Sequence, residues 1–239
     1  MNEWVNEWVN EWLPALVCGL LALAGGLTAP WVIRLVPEPD EPVEDKETYV
    51  AIADRRGLAV QIGLVALVAA ALVGLELGWA WELVYLVPLV PLTVMLAWID
   101  WRTLLLPKRL VWPAYAVVLV GLVVCLVATR DLGDLLRAGI GLVVWFGYFG
   151  ITWFISPRVM GFGDVRFSGV LGLALGQLGL AEVLVGLFFS FLLLGVVGGL
   201  LIVLRLIARR GNPFGPFMAA GALVGILWGD PLLSALLSR

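Results

Sequence analysis

Away from its loops and ends, the chain carries six carboxylates beside or within long apolar stretches: Glu76, Glu82, Asp100, Asp164, Glu182 and Asp230. A buried ionised carboxylate is costly unless it is partnered or wet, so each is a candidate for chemistry. There is no histidine, and Cys18 and Cys125 stand far apart with no Cys-x-x-Cys pairing, so neither a metal site nor a disulfide framework is expected. Two carboxylates a few ångströms apart do not both ionise easily. They share one proton, so that one is a base toward water while the other donates to a carbonyl oxygen, and their titration belongs to the pair. The string Gly161-Phe162-Gly163-Asp164 puts glycines three and one residues ahead of an aspartate. Such a backbone is free to adopt positive φ and lets a peptide come close, and an aspartate opening a helix meets amides that hold negative charge. By itself, in a chain with 28 glycines, the string reads as a turn at a helix N-cap.

The elements that position these acids follow from composition. Of 239 residues, 62% are hydrophobic and 14% charged, and the mean hydropathy is +1.03, so the bilayer is the main solvent. A net charge of −3 leaves no basic field, and nucleic acid is not expected as a partner. With about 20 apolar residues needed per crossing, the expected fold is all-α, a polytopic helical bundle of about eight spans. They fall near residues 13–36, 58–76, 80–99, 110–128, 136–155, 167–181, 183–206 and 214–237. The sixth is short and Gly-rich, and without it the count is seven. With the N-terminus outside, twelve of the fifteen Lys and Arg residues fall on the inner side, among them Arg34, Lys46, Arg55, Arg102, Lys108, Arg158, Arg166 and Arg209, while Arg130, Arg137 and Arg239 fall outside. This topology sorts the acids. Glu76, Glu82, Glu182 and Asp230 map to the outer side, where an exposed interfacial carboxylate is ordinary. Asp100 ends the third span and Asp164 precedes the sixth, both on the inner side. The chain between them goes out and back, so the two aspartates can meet as an aspartic-protease pair.

The remaining segments divide as residues 1–12, 13–37, 38–57 and 58–239. The first is a Trp/Glu repeat with Trp4, Trp8 and Trp12 along one side of a helix, read as an interfacial extension. It carries Glu3, Glu7 and Glu11 without Lys or Arg, the wrong sign for a cleaved signal peptide, so the first span, 13–37, is expected to persist. Residues 38–57 form an acidic cytoplasmic loop, read as a solvated linker or as a lip that attracts a basic peptide. Residues 58–239 are the membrane core. Gly172 with Gly176, Gly195 with Gly199, and Gly221 with Gly225 and Gly229 are spaced for close helix packing.

Three stretches, Ile99-Asp100-Trp101-Arg102 with Pro107, then Gly161-Phe162-Gly163-Asp164-Val165, then Pro213-Phe214-Gly215-Pro216-Phe217, resemble the signature segments of the type IV prepilin peptidases, a family of GxGD-type membrane aspartic proteases. The resemblance covers residues 80–229, and in outline 13–37, where Gly25 and Gly26 run to Arg34 and Pro37. It implies that Asp100 and Asp164 are catalytic and that Gly161 and Gly163 form the active-site loop. Cleavage would remove a basic leader from a prepilin or pseudopilin at the cytoplasmic face of the inner (plasma) membrane. It implies no cofactor for cleavage, and S-adenosylmethionine only if N-methylation of the new terminus is retained. The chain departs from the bifunctional relatives in lacking the Cys-x-x-Cys insertion between the first two spans, which makes methyl transfer doubtful. Lys108 stands where an acid commonly follows the proline, and Arg166 replaces a common lysine; with Pro213, Gly215 and Pro216 they are candidate contacts to substrate or lipid headgroups. For Pro213, Gly215 and Pro216 a plain helix entry also suffices. Two other classes share these residues: a proton- or cation-coupled transporter using the same aspartates, and an inactive scaffold of the same fold.

Overall fold

In an apolar solvent every backbone N–H and C=O must be paired within its own segment, so long apolar runs fold as helices. The computed structural model describes residues 3–38, 47–157, 160–205 and 213–238. Its helices are α1 (Glu3–Leu27), α2 (Ala29–Arg34), α3 (Tyr49–Ala53), α4 (Leu58–Leu77), α5 (Leu83–Thr103), α6 (Lys108–Thr129), α7 (Leu132–Ile155), α8 (Phe162–Leu178), α9 (Leu180–Leu193), α10 (Gly199–Val203) and α11 (Gly215–Leu237), with a π-helical turn at Leu194–Gly198 between α9 and α10. Among the described residues, seven segments are long and apolar enough to cross a membrane: Val9–Arg34, Leu58–Leu77, Leu83–Thr103, Lys108–Thr129, Leu132–Ile155, Leu180–Leu201 and Gly215–Leu237. The chain is a polytopic helical membrane protein. The expected sixth span is α8, whose 17 residues rise about 26 Å, short of a hydrocarbon core of about 30 Å. The described count is thus the lower of the two expected.

The chain forms two compact units, Met1–Met95 with Ala116–Arg130, and Leu96–Tyr115 with Asp131–Arg239. In the first unit α1 lies directly on α4. A Cβ on Gly26 would sit 2.6 Å from Gly63 Cα, and one on Gly74 would sit 2.7 Å from the Pro14 carbonyl. The described part of the acidic connection folds locally. Thr48 Oγ1 caps α3 by accepting from Ala51 N–H at 3.1 Å, Glu38 accepts from Val50 N–H at 3.0 Å, Asp54 pairs with Arg34, and Glu47 pairs with Arg55. Asp40, Glu41, Glu44, Asp45 and Lys46 lie outside the described residues, as do Arg158, Arg209, Arg210, Arg239 and the side chains of Glu3, Trp4, Glu7 and Trp8.

In the second unit α7 packs on α8, and α9 packs on α11. Gly141 on α7 and Gly172 on α8 face each other so closely that a Cβ on either would overlap the other's carbonyl, and a Cβ on Gly176 would sit 2.5 Å from the Arg137 carbonyl. Gly225 and Gly229 on α11 admit Glu182 and Gly186 of α9, with the Glu182 carbonyl 2.6 Å from a Gly225 Cβ. Trp145 donates its indole N–H to the Val183 carbonyl at 3.0 Å, tying α7 to α9. Helix α8 is buried from Val165 through Gln177 except at Arg166. Gly195 and Gly199 behave differently from expectation: nothing lies within 4 Å of a Cβ at either, and a π-helical turn contains the first and immediately precedes the second.

Candidate active site

Asp100 sits in the last turn of α5, inside the helix rather than at the span's end, and is 3% exposed. The helix stops three residues later. Leu104 takes φ 55°, in the left-handed region, and its N–H closes on the Asp100 carbonyl at 2.8 Å. Thr103 Oγ1 donates to the Ile99 carbonyl at 2.9 Å and accepts from Leu105 N–H at 3.2 Å. Pro107 then leads into α6, since a proline at a helix start has no amide to leave unpaired.

Asp164 occupies the first turn of α8 and is 8% exposed. Its Oδ2 accepts from the Gly161 N–H at 3.1 Å, which caps the helix by the return arm of a capping box. Its Oδ1 is buried with no hydrogen-bond partner among the described residues. The two glycines differ from the expected backbone role. Gly161 has φ −77° and ψ 150°, and neither it nor Gly163 is among the glycines in the left-handed range, Gly57 and Gly78. Gly163 is needed for space, since a Cβ there would sit 2.9 Å from Leu106 Cβ. Leu106 belongs to the turn after α5, so this contact brings the start of α8 against the end of α5.

The structure brings the two aspartates together. The Asp164 carboxyl is raised from its usual value to about 7, chiefly by burial and then by the charge of Asp100, while the Gly161 amide opposes the rise. The third motif joins them: Gly215 N–H donates to Asp100 Oδ2 at 2.7 Å, and a Cβ on Gly215 would lie 3.0 Å from that oxygen. Pro213 and Phe214 are buried and Pro216 half-buried. The Phe214 ring packs 5.2 Å from Phe149 and 5.1 Å from Phe191, which fixes the start of α11.

Lys108 and Arg166 do not converge on the pair. Lys108 is exposed on the first turn of α6, and the Arg166 guanidinium lies over the Phe162 ring at 4.6 Å, itself 5.0 Å from Trp153. Neither makes an ion pair among the described residues. Two residues escaped the sequence reading. Tyr115 donates its hydroxyl to the Arg166 carbonyl at 3.0 Å and fills the space over Gly169, pinning α6 to the first turns of α8; a lone tyrosine in an apolar run gives no signal of this. Glu182, expected on an exposed interface, is 8% exposed. It lies under Gly225 and Gly229 of α11 with Oε2 unpartnered among the described residues.

A carboxyl pair that shares one proton can activate water and protonate a carbonyl in one step. Residues 87–204 match the model of the type IV leader peptidase family. A prepilin leader peptidase/N-methyltransferase of Bacillus subtilis (strain 168) is 30% identical over 181 residues, covering 74% of this chain and 67% of the relative. The chain belongs to the type IV leader peptidase family. Proteins with the same name from Aeromonas hydrophila and Aeromonas salmonicida (strain A449) are 29% and 31% identical over 170 and 143 residues. The chain spans 57% and 47% of those two. No solved structure matches the chain. Both aspartates and the Gly-x-Gly-Asp turn fall within the stretch that matches the leader peptidase model, and Gly215 lies beyond it.

Proposed function

We propose that this leader peptidase is an aspartic endopeptidase that cuts the basic leader from a type IV prepilin-like protein at the cytoplasmic face of the plasma membrane. The observation that carries the reading is the meeting of Asp100 and Asp164, buried on separate helices, with the charge of one acting on the other. With a single proton between them, one carboxylate takes a proton from water as the water attacks the scissile carbonyl, and the other carboxyl protonates that carbonyl oxygen. The tetrahedral intermediate then collapses as the leaving nitrogen gains a proton. Pairing on one side favours cleavage over transport, since a transport path places ionisable groups near the midplane. The basic residues at the dyad's end, Arg102, Lys108, Arg109 and Arg166, support a cytoplasmic orientation. The relatives' names include N-methyl transfer, and the dyad itself accounts for the hydrolysis.

The test is to incubate detergent-purified protein with a synthetic substrate of a basic leader, a glycine and an apolar stretch, comparing wild type with Asp100→Ala and Asp164→Ala. Wild type gives the shortened product, and each variant loses activity by about a hundredfold or more, since half a dyad does no concerted acid-base work. Variants that cut as well as wild type overturn the dyad.

A further inference from the structure

We infer that the Gly215 backbone amide, at the head of α11, is a positioning group that holds Asp100 as the ionised base of the dyad, leaving Asp164 as its proton donor. The inference rests on the cleavage reading and assigns each carboxyl a task. The two aspartates have different environments. Asp100 Oδ2 receives the Gly215 N–H at 2.7 Å, a short bond of the kind a charged acceptor makes. That amide belongs to the first turn of a 23-residue helix, whose free N–H groups and dipole favour an anion in front of them. The first turn of α11, Gly215 to Met218, adds no titratable group of its own. Asp164 has a longer bond, 3.1 Å, from an amide at the head of its own helix, and its Oδ1 is buried and unpartnered among the described residues. A buried oxygen without a donor is poorly suited to negative charge and well suited to carrying a proton. Arg102, on the helix of Asp100, lies 5.6 Å over the Trp98 ring, and Arg166, on the helix of Asp164, lies over Phe162.

The same geometry explains why the third motif needs glycine at 215. Gly215 is not in the left-handed region; a Cβ there would press on Asp100 at 3.0 Å from Oδ2 and 3.2 Å from its Cβ. Pro213 and Phe214 ahead of it, with Phe214 locked among Phe149 and Phe191, hold the amide in register.

Two measurements test the assignment. In the infrared spectrum of the purified protein at about pH 6, below the raised Asp164 value, the difference against wild type loses a protonated-carboxyl C=O band in Asp164→Asn and keeps it in Asp100→Asn. Loss in Asp100→Asn instead overturns the inference. In cleavage assays Gly215→Ala lowers kcat about tenfold at unchanged KM. It also moves the acidic limb of the pH profile upward by about one unit, the effect of weakening one charge-assisted hydrogen bond. An unmoved acidic limb overturns it. The spectra need no turnover, so they decide the inference even if Gly215→Ala fails to fold, and a wild type that does not cleave overturns the function while leaving the spectra to judge the proton's place.

Discussion

Asp164 gives the dyad its pH dependence, and the sign can be worked out. Its carboxyl titrates at about 7 in the folded protein against 3.8 unperturbed, with burial the main cause. Above about pH 7 Asp164 loses its proton, so cleavage falls as the pH rises through that value, measured as initial rates at saturating substrate. Stability follows the same proton. A folded value above the unfolded one means stability that is fully present below the unfolded value and lost as the pH rises through about 7, on the order of 4 kcal/mol at the extreme. Asp164→Asn, which is always neutral, therefore melts at a higher temperature than wild type at about pH 8, and the gain shrinks at about pH 5. A gain independent of pH removes Asp164 as its source. The two aspartates were legible in the sequence because carboxylates are scarce in so apolar a chain and basic loops sort them by side. Gly215 was legible as a candidate contact to substrate or headgroups or as a helix entry, and not as a donor to Asp100, because its contribution is a backbone amide, which every residue but proline carries. Glu182 was misjudged for a related reason: position along the chain places it near the membrane's outer side, but only the close approach of α11 through Gly225 and Gly229 buries it.

At the scale of elements, α8 is held along its length by three contacts, namely Leu106 against Gly163, Tyr115 against Gly169, and α7 against Gly172 and Gly176. The glycines of the α7–α8 contact and the glycines on the open face of α7 predict opposite outcomes for the same substitution. Gly172→Ala drives a methyl into the Gly141 backbone and to 2.8 Å from Trp145 Cβ, so it lowers the melting midpoint, a cost of about 1–3 kcal/mol for overpacking, and lowers cleavage as Asp164 shifts. Gly147→Ala meets nothing within 4 Å and raises the midpoint by the helix preference of alanine, about 0.5–1 kcal/mol. Equal effects at the two positions contradict the packing described. Spacing of small residues announced the α7–α8 and α9–α11 contacts, since a stripe of glycines leaves a helix face low enough for a neighbour's backbone. It gave no warning at Gly195 and Gly199, where a π-helical turn interrupts the α-helical run, and hydropathy alone has no term for that. The same limit applies to α8, an apolar run whose pattern fits a span and whose helix is too short to be counted with the other seven.

For the whole molecule, the cytoplasmic reading of the dyad depends on which way the bundle faces. Helix α6 supplies a direct test, because its 22 residues rise about 33 Å, the thickness of the hydrocarbon core. Arg109 is exposed at its start, in the same turn region as the end of α5 that carries Asp100, and Leu132 is exposed just beyond its end. On the proposed orientation, which rests on the excess of basic residues on that side, the Arg109 end faces inward. The native cysteines give little background to a thiol reagent, since Cys18 is 2% and Cys125 0% exposed. In intact cells a membrane-impermeant maleimide labels Leu132→Cys and spares Arg109→Cys, and permeabilising the cells exposes both. The reverse pattern turns the molecule over. The dyad then opens away from the cytoplasm, the basic leader of a nascent prepilin lies on the wrong side of the membrane to reach it, and the leader-peptidase reading fails on topology, whatever the two aspartates do in detergent.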